Sequence, residues 1–338
     1  MPAALAIIGG ETLLGKELRE LSEGLPFPVE TTLLDTELAA EGIRLTESGG
    51  EPSVVQSLTE INLGKNDVVF LAGSEASSRW AAELAAKLHS PPTLIDVTHA
   101  LEDNPATRLR APEIEMPVDI EPTGVYQIAH PAAIAAASLL RSLAGSPGIT
   151  RSVFHIFEPA SERGLAGIEE LQQQTAGLLS FKPLVKKVFD AQVSFNMLAR
   201  YGDDAPVPLS SIEERIAAHL ATLAARIGNV PMPSLRLVQP PVFHGYSISA
   251  WVQFEKRLSI SQVYTRLSEH DLDVRGADLE PPNNVGVASQ GGVAVGGVAP
   301  DRSDPNAVWF WIAADNLRLT AENAILVARP FLQAGGRE

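Results

Sequence analysis

The stretch Gln127 to Leu140, "QIAHPAAIAAASLL", begins like the end of a buried strand and continues as a helix. Its alanines and leucines are good helix formers with the character of a protein core. Enzymes often place a nucleophile at such a strand-to-helix junction. Here the junction carries Pro131, Ala132 and Ala133, so its side chains are hydrocarbon.

Strands and helices alternate on the N-terminal side of this stretch. Short apolar runs predict strands, and the segments between them show helical spacing of leucine and alanine. The predicted strands are "ALAIIG", "VETTLLD", "DVVFLAG" and "TLIDVT", and the helices include "KELRELSEG" and "SSRWAAELAAKLH". This order predicts an α/β fold with a parallel sheet and right-handed crossovers.

The pattern changes after about Arg151 to longer, mixed elements. Strands are predicted for "RSVFHIFEPA", "PVFHGYSISAWVQFE" and "AVWFWIAAD", and helices for "GLAGIEELQQQTAGLL", "SIEERIAAHLATLAARIG" and "NAILVARPFLQ". Together they predict an α+β domain on a mostly antiparallel sheet. Residues 271–306 are rich in glycine and proline, which indicates a loop or an edge region.

Composition excludes several classes of protein. The formal net charge of −15 disfavours nucleic acid and anionic membrane surfaces as partners. No apolar run reaches the roughly 20 residues that span a bilayer, and the first residues lack a signal-peptide pattern, so we expect a cytoplasmic protein. The sequence contains no cysteine, which excludes disulfides, thiolate metal sites and thiol nucleophiles.

A glycine-rich turn follows the first predicted strand in "IIGGETLLGKEL". Such a turn brings backbone N–H groups and a helix N-terminus to a pyrophosphate, although Thr12 stands near the place of the expected middle glycine. Asp35 ends the second strand about 20 residues after Gly15, a spacing that suits an adenosine ribose and favours NAD over NADP. The alternative is an ordinary strand-to-helix turn. The expected cofactor-binding residues are Gly9, Thr12, Leu13, Gly15, Asp35 and Gly73.

Taken in order, several segments give the whole chain its resemblance to a known family. They are "IIGGETLLGKEL", "FLAGSEASSRW", "LIDVTHAL", "IAHPAAIAA", "ASERGLAGIEEL", "SFNML", "SIEERI", "PVFHGYS" and "FWIAADNLR". In this order they resemble the aspartate-semialdehyde dehydrogenase family. The resemblance implies a Rossmann domain in residues 1–130, on which a helix at 316–335 packs back. It also implies a catalytic and dimerisation domain in residues 131–315, and a homodimer.

The family's reaction is the NADP-linked conversion of a semialdehyde and phosphate into an acyl phosphate through a cysteine thioester. This chain departs from the family at five positions that carry the chemistry, whereas Glu213 or Glu214 keeps the family's acidic position. The nucleophile position is Ala133, and a methyl group forms no thioester. The histidine base is replaced by Tyr246, whose ordinary pKa is about 10. Gln239 replaces the arginine that binds the substrate carboxylate, Glu158 replaces an orienting glutamine, and Glu102 falls where a phosphate-binding arginine is expected.

Other polar residues are possible substitutes. His244 is predicted to share a strand face with Tyr246, and His130 heads the old nucleophile turn. With Glu158 they would form a new acid/base site or a weak metal site, although lone histidines are more often structural. Ser138 and Ser161 have no evident base at a motif spacing, and no metal site is assigned.

We therefore expect a paralogue of this family that has lost the family's activity. It would bind a dinucleotide, a metabolite or a protein partner. The alternative is an NAD-dependent oxidoreductase that forms no covalent intermediate and uses His244, Tyr246 or Glu158 for proton transfer. A third reading is a structural partner that forms mixed dimers with an active relative.

Overall fold

The computed structural model describes residues 2–36, 43–48, 51–115, 124–228 and 230–335. These residues divide into two compact units. Unit 1 comprises the described residues within 1–112, 116–129 and 320–338, and unit 2 those within 113–115 and 130–319. Within the described ranges, every helix is too short or too polar to cross a membrane.

Unit 1 is built on one sheet with helices between its strands. Its strands are β1 (Ala3–Ile8), β2 (Val29–Asp35), β3 (Ile43–Ser48), β4 (Glu51–Ser57), β5 (Val68–Leu71), β6 (Thr93–Asp96), β7 (Thr107–Arg110) and β8 (Val125–Ile128). The helices are α1 (Leu13–Glu23), α2 (Glu60–Leu63) and α3 (Glu75–Ala85). The strand order is β3-β4-β2-β1-β5-β6-β8-β7.

The neighbouring strands of this sheet are parallel, except for the antiparallel pair β3 and β4. This confirms the predicted parallel α/β sheet. Strands β3, β4 and β7 were not predicted from the sequence. Strand β7, "TRLR", contains one apolar residue in four positions, which gives no periodicity that could predict a strand.

Unit 2 includes the stretch Gln127 to Leu140 from His130 onward. Its helices are α4 (Pro131–Leu143), α5 (Gly164–Leu179), α6 (Leu209–Ile227) and α7 (Ile260–Ser268), with a short 3₁₀ turn at Ala160–Arg163. Its strands are β9 (Ile149–Phe157), β10 (Ser234–Val238), β11 (Tyr246–Phe254), β12 (Asp273–Val274), β13 (Ala294–Pro300) and β14 (Ala307–Ala314). The last helix, α8 (Asn316–Gly335), begins in unit 2, and its residues from Thr320 belong to unit 1.

The sheet of unit 2 has the order β10-β9-β11-β14-β13-β12. Its central pairings are antiparallel, and the outer pairs β10 with β9 and β12 with β13 are parallel. The predicted α+β unit is therefore confirmed. The glycine- and proline-rich segment supplies the edge strand β12 and its neighbour β13.

The predicted strand over residues 241–255 begins later than expected, at Tyr246. Gly245 has φ of 80°, a left-handed conformation that interrupts an extended chain. His244 therefore lies in the turn before β11. The expectation that His244 and Tyr246 share one strand face was wrong.

Helix α4 forms part of the unit 2 core and packs against α6. Its residues from Ala132 to Ala137 are fully buried. Alanines allow close approach of the surrounding elements because each adds only one methyl group to the packing. The alanine-rich sequence therefore suits a helix that is enclosed on nearly every side.

The turn between β1 and α1 should tolerate no side chain at Gly15. A Cβ added there would lie 2.1 Å from the Gly9 carbonyl oxygen, whereas one added at Gly24, after the same helix, would lie 3.6 Å from its nearest neighbour. We expect Gly15→Ala to lower the free energy of unfolding by more than about 2 kcal/mol, and Gly24→Ala to change it by less than about 1 kcal/mol. Urea unfolding checks both, and equal losses would contradict the geometry.

Candidate functional site

The glycine turn of unit 1 depends on very close backbone approach. Gly9 has φ of 80°. A Cβ at Gly9 would lie 2.4 Å from the Gly73 Cα, so the backbone at the end of β1 touches the backbone after β5. Together with the tight contact at Gly15, this explains why glycine is required at both ends of the turn.

Thr12, which replaces the middle glycine, is the N-cap of α1. Its hydroxyl oxygen accepts a hydrogen bond from the Gly15 N–H at 3.0 Å and lies 2.9 Å from the carbonyl oxygens of Gly9 and Ala72. In the described part of the chain, the backbone N–H groups of Leu13 and Leu14 donate to no protein acceptor. The helix N-terminus therefore keeps donors for an anion, and the turn fits a pyrophosphate.

Asp35, the expected ribose ligand, stands at the end of β2 beside Arg44. The Arg44 guanidinium lies 3.0 Å from Asp35 Oδ2 and also pairs with Glu11. Two carboxylates therefore share one arginine near the glycine turn. Arg44 was not anticipated from the sequence, because no local motif links it to Asp35.

In unit 2, the head of α4 is closed by buried groups. Ala132 and Ala133 are fully buried, and His130 is the N-cap, with its Nδ1 accepting from the Ala132 N–H at 3.3 Å. The His130 backbone N–H donates to His219 Nδ1 at 2.9 Å. The His130 ring also meets the Tyr246 ring edge to face, with centroids 5.9 Å apart. The structure thus brings His130 and Tyr246 together beside the junction.

Gln239 uses its side-chain amide inside the protein. The amide nitrogen donates to the carbonyl oxygens of Glu158 at 2.9 Å and Pro240 at 2.8 Å. The amide oxygen accepts from the Tyr201 hydroxyl at 2.7 Å. Gln239 is fully buried. The amide therefore connects Glu158, Pro240 and Tyr201, and it has no N–H donor left for a substrate carboxylate.

Glu158 lies fully buried at the end of β9. An Arg163 nitrogen lies 3.4 Å from its Oε1, yet neither carboxylate oxygen accepts a hydrogen bond from another described residue. Burial raises the pKa of Glu158 to about 7, while Arg163 opposes the rise and Glu162 adds to it. The side chain therefore changes charge near neutral pH.

Tyr246 is similarly enclosed. It is 1% exposed, and its hydroxyl has no hydrogen-bond partner among the described residues. Burial, with the nearby charges of Glu162 and Glu158, raises the pKa of Tyr246 well above its usual value. At neutral pH it is a neutral phenol, so it does not replace a histidine base.

His244 has both ring nitrogens engaged. Nε2 lies 2.7 Å from Asp315 Oδ2, and Nδ1 lies 3.2 Å from the Ser161 hydroxyl. Burial raises the pKa of Asp315, but hydrogen bonds from His244 and from the Arg318 N–H outweigh this, so the pKa lies below its usual value. Asp315 is therefore a carboxylate that holds the imidazole in place.

Ser161, His244 and Asp315 are the residue types of a serine triad, and the sequence alone showed no base for Ser161. However, Ser161 is 2% exposed, and its hydroxyl also lies 3.1 Å from Asn316 Oδ1. A substrate does not reach a nucleophile that is enclosed in this way. We interpret the arrangement as a structural network.

Asp315 and Asn316 are the site residues that sequence reasoning missed. Asn316 Oδ1 accepts from the Gly245 N–H at 3.1 Å, and its Nδ2 donates to Glu162 at 2.8 Å. Glu162 Oε2 lies 3.7 Å from His130 Nε2. Both residues lie in the segment "WIAADNLR", which contributed to the resemblance. Their position as polar residues between an apolar strand and a helix was the sequence signal that could have identified them.

Comparisons with known proteins agree with this architecture. Residues 144–319 match the model of the semialdehyde dehydrogenase dimerisation domain. The USG-1 protein homolog of Pseudomonas aeruginosa is 30% identical, and the alignment covers 98% of each chain. An aspartate-semialdehyde dehydrogenase of Rickettsia bellii is 26% identical over 97% of each chain. The solved structure of a probable aspartate-semialdehyde dehydrogenase from Pseudomonas aeruginosa has 25% identity and a TM-score of 0.80, covering 98% of this chain and 99% of that one.

Glu158 should make stability depend on pH. Its folded-state pKa of about 7 exceeds the ordinary 4.5, so the stability it contributes below pH 4.5 is lost as pH rises through 7. We expect Glu158→Gln, which keeps a neutral group, to be more stable than the wild type at pH 8 by about 3 kcal/mol and equal to it at pH 4. Urea unfolding at both pH values measures this.

The matched control for this prediction is Glu169→Gln, because Glu169 is an exposed glutamate on α5. We expect it to leave stability unchanged at both pH values. If Glu158→Gln also leaves the free energy of unfolding unchanged at both pH values, ionisation of the buried Glu158 carboxyl does not destabilise the fold.

Proposed function

Because the chain belongs to the aspartate-semialdehyde dehydrogenase family, we propose that it is a member that has lost aldehyde oxidation and acts by binding a nicotinamide dinucleotide. The observation that carries the loss is Gln239, whose amide is used completely by Glu158, Pro240 and Tyr201. A position occupied in this way cannot hold a substrate carboxylate. The buried methyl group of Ala133 supports the same conclusion.

Dinucleotide binding is supported by the glycine turn of unit 1. Gly9 and Gly15 keep the tight backbone geometry, and α1 presents N–H donors at its N-terminus. When bound, the cofactor would supply hydride transfer or act as a signal of redox state. The residues that would hold it are those of the turn, with Asp35 at the ribose.

We propose that the Asp35–Arg44–Glu11 group sets the preference between the two cofactors. Glu11 and Asp35 both place a carboxylate beside Arg44, and a carboxylate at the ribose repels a 2′-phosphate and favours NAD. Arg44 becomes available to a 2′-phosphate only when a carboxylate is removed, because arginine binds phosphate with two parallel hydrogen bonds.

We also propose a homodimer. The matched domain is described as a dimerisation domain. In unit 2, the segment between α5 and α6 exposes Phe181, which is 99% accessible, and Phe195, which is 67% accessible. Leu179 and Met197 are exposed beside them in sequence. Large apolar side chains in this state are typical of an interaction surface. The expected cytoplasmic location stays a prediction.

The alternative of an oxidoreductase without a covalent intermediate has weaker support. It needs His244, Tyr246 or Glu158 to transfer a proton. Tyr246 and Glu158 are almost completely buried, and both ring nitrogens of His244 lie against protein groups. We therefore do not adopt it.

Restoring the nucleophile alone should not restore catalysis. We expect Ala133→Cys to form no NADPH from aspartate semialdehyde, phosphate and NADP, because Gln239 and Tyr246 still occupy the carboxylate and base positions. Ala133→Ser is the control for the added volume at this buried site. Absorbance at the NADPH band measures turnover, and substantial turnover by Ala133→Cys would show that the positions were assigned incorrectly.

Calorimetry on nucleotide-free protein tests the cofactor proposal. We expect the wild type to bind NAD more tightly than NADP. Asp35→Ala should weaken NAD and strengthen NADP, each by about tenfold, because it frees Arg44. In the Asp35→Ala, Arg44→Gln double variant, the gain for NADP should disappear.

The control in unit 1 is Glu83→Ala, an exposed carboxylate on α3, which should leave both affinities unchanged. Absence of binding by either cofactor at millimolar concentration would contradict the proposal. In that case the protein would act by binding other proteins, without a cofactor.

A further inference from the structure

Unit 2 contains a cavity whose lining includes none of the positions equivalent to the family's catalytic residues. Its volume is about 240 Å³. One wall is α4, which contributes the partly exposed Ser138 and Arg141 and the buried Ser142. The other walls come from Glu113 and Ile114, from the turn after α7, and from the chain before β13. The cavity therefore joins several separate segments of the unit.

The cavity carries opposite charges that do not pair. Arg141 donates one hydrogen bond to the Glu113 backbone carbonyl at 2.7 Å, and no carboxylate of the described residues forms an ion pair with it. Asp271 and His270 line the same cavity, and their side chains hydrogen-bond to no described residue. Opposite charges close enough to share a cavity, but without a mutual contact, leave space for a ligand that bridges them.

Apolar groups complete the wall. Ile114 and Val293 are buried, and Leu272 is partly buried beside them. The hydroxyls of Ser138 and Ser142 donate to carbonyl oxygens of their own helix, which leaves their oxygens free to accept. The lining thus offers one cation, carboxylates, hydroxyl acceptors and a hydrocarbon surface.

We propose that this cavity binds a free L-α-amino acid. The Arg141 guanidinium would hold the carboxylate through two parallel hydrogen bonds, and Asp271 would hold the ammonium. The amino acid side chain would lie on Ile114, Leu272 and Val293. A phosphorylated ligand fits less well, because carboxylates share the cavity with the single arginine and repel a second negative charge.

Calorimetry with each of the twenty standard L-amino acids on the full-length protein tests this proposal. We expect saturable binding of at least one, with a Kd below about 1 mM. Arg141→Met should weaken that binding at least about tenfold, and Asp271→Asn by about tenfold. The methyl ester and the N-acetyl derivative of the same amino acid should each bind more weakly, because each lacks one of the two charges.

Arg257→Met is the matched control, because Arg257 is an exposed arginine of the same unit outside the cavity. It should leave the affinity unchanged. Asp271 is exposed, so Asp271→Asn should fold normally. If Arg141→Met does not fold, the affinity of Asp271→Asn tests the binding site. NAD binding at unit 1 should persist in both variants, which separates this site from the proposed cofactor site.

Two results would overturn the assignment. One is the absence of saturable binding for all twenty amino acids. The other is binding that neither Arg141→Met nor Asp271→Asn weakens. Binding of inorganic phosphate that Asp271→Asn leaves unchanged or strengthens, without amino acid binding, would likewise show that the cavity selects an anion only.

Discussion

The hydrogen bonds of Asp315 and Asn316 are the constraint on which the unit 2 site depends. Asp315 accepts from the N–H groups of Leu317 and Arg318, which starts α8, and from the N–H of Ser289 and the ring of His244. The Asn316 amide accepts hydrogen bonds from the Ser161 hydroxyl and the Gly245 N–H, and it donates one to Glu162. Two adjacent side chains therefore hold together the turn after β9, the turn before β11 and the loop before β13. Removing the Asp315 carboxylate or the Asn316 amide would leave several buried groups without hydrogen-bond partners.

Around this frame, the proposed loss of the family's chemistry assigns structural roles to the positions that carry that chemistry in the family. Ala133 fills space in a buried helix, and Gln239 connects three neighbouring groups. Glu158 retains a buried carboxyl beside Arg163, and its raised pKa costs stability at neutral pH. Strain of this kind often accompanies a functional site. Here the Glu158 carboxyl is shielded from solvent. Its ionisation therefore only lowers the stability of the fold, and a neutral residue at this position would remove that loss.

The sequence predicted the class of both units and most of their strands, because apolar periodicity and alternation report burial directly. Through the resemblance it predicted that Ala133, Gln239 and Tyr246 occupy the family's site positions, and this assignment stays a prediction. It did not predict the pairing of His244 with Asp315, since those residues are far apart in the chain. Its expected strand face for His244 was wrong because a single glycine, Gly245, turns the backbone. Arg44 beside Asp35 was likewise visible only after strand pairing was known.

The measurement that tests the central claim most directly is a turnover assay of the wild-type protein. It supplies aspartate semialdehyde and phosphate with NAD or NADP, and follows reduced cofactor by absorbance, with an active homologue as positive control. We predict no reduction of either cofactor above the rate without protein, because the buried methyl of Ala133 and the fully bonded amide of Gln239 leave no nucleophile and no carboxylate site. Saturable, phosphate-dependent turnover by the purified chain would contradict the loss of the family's chemistry.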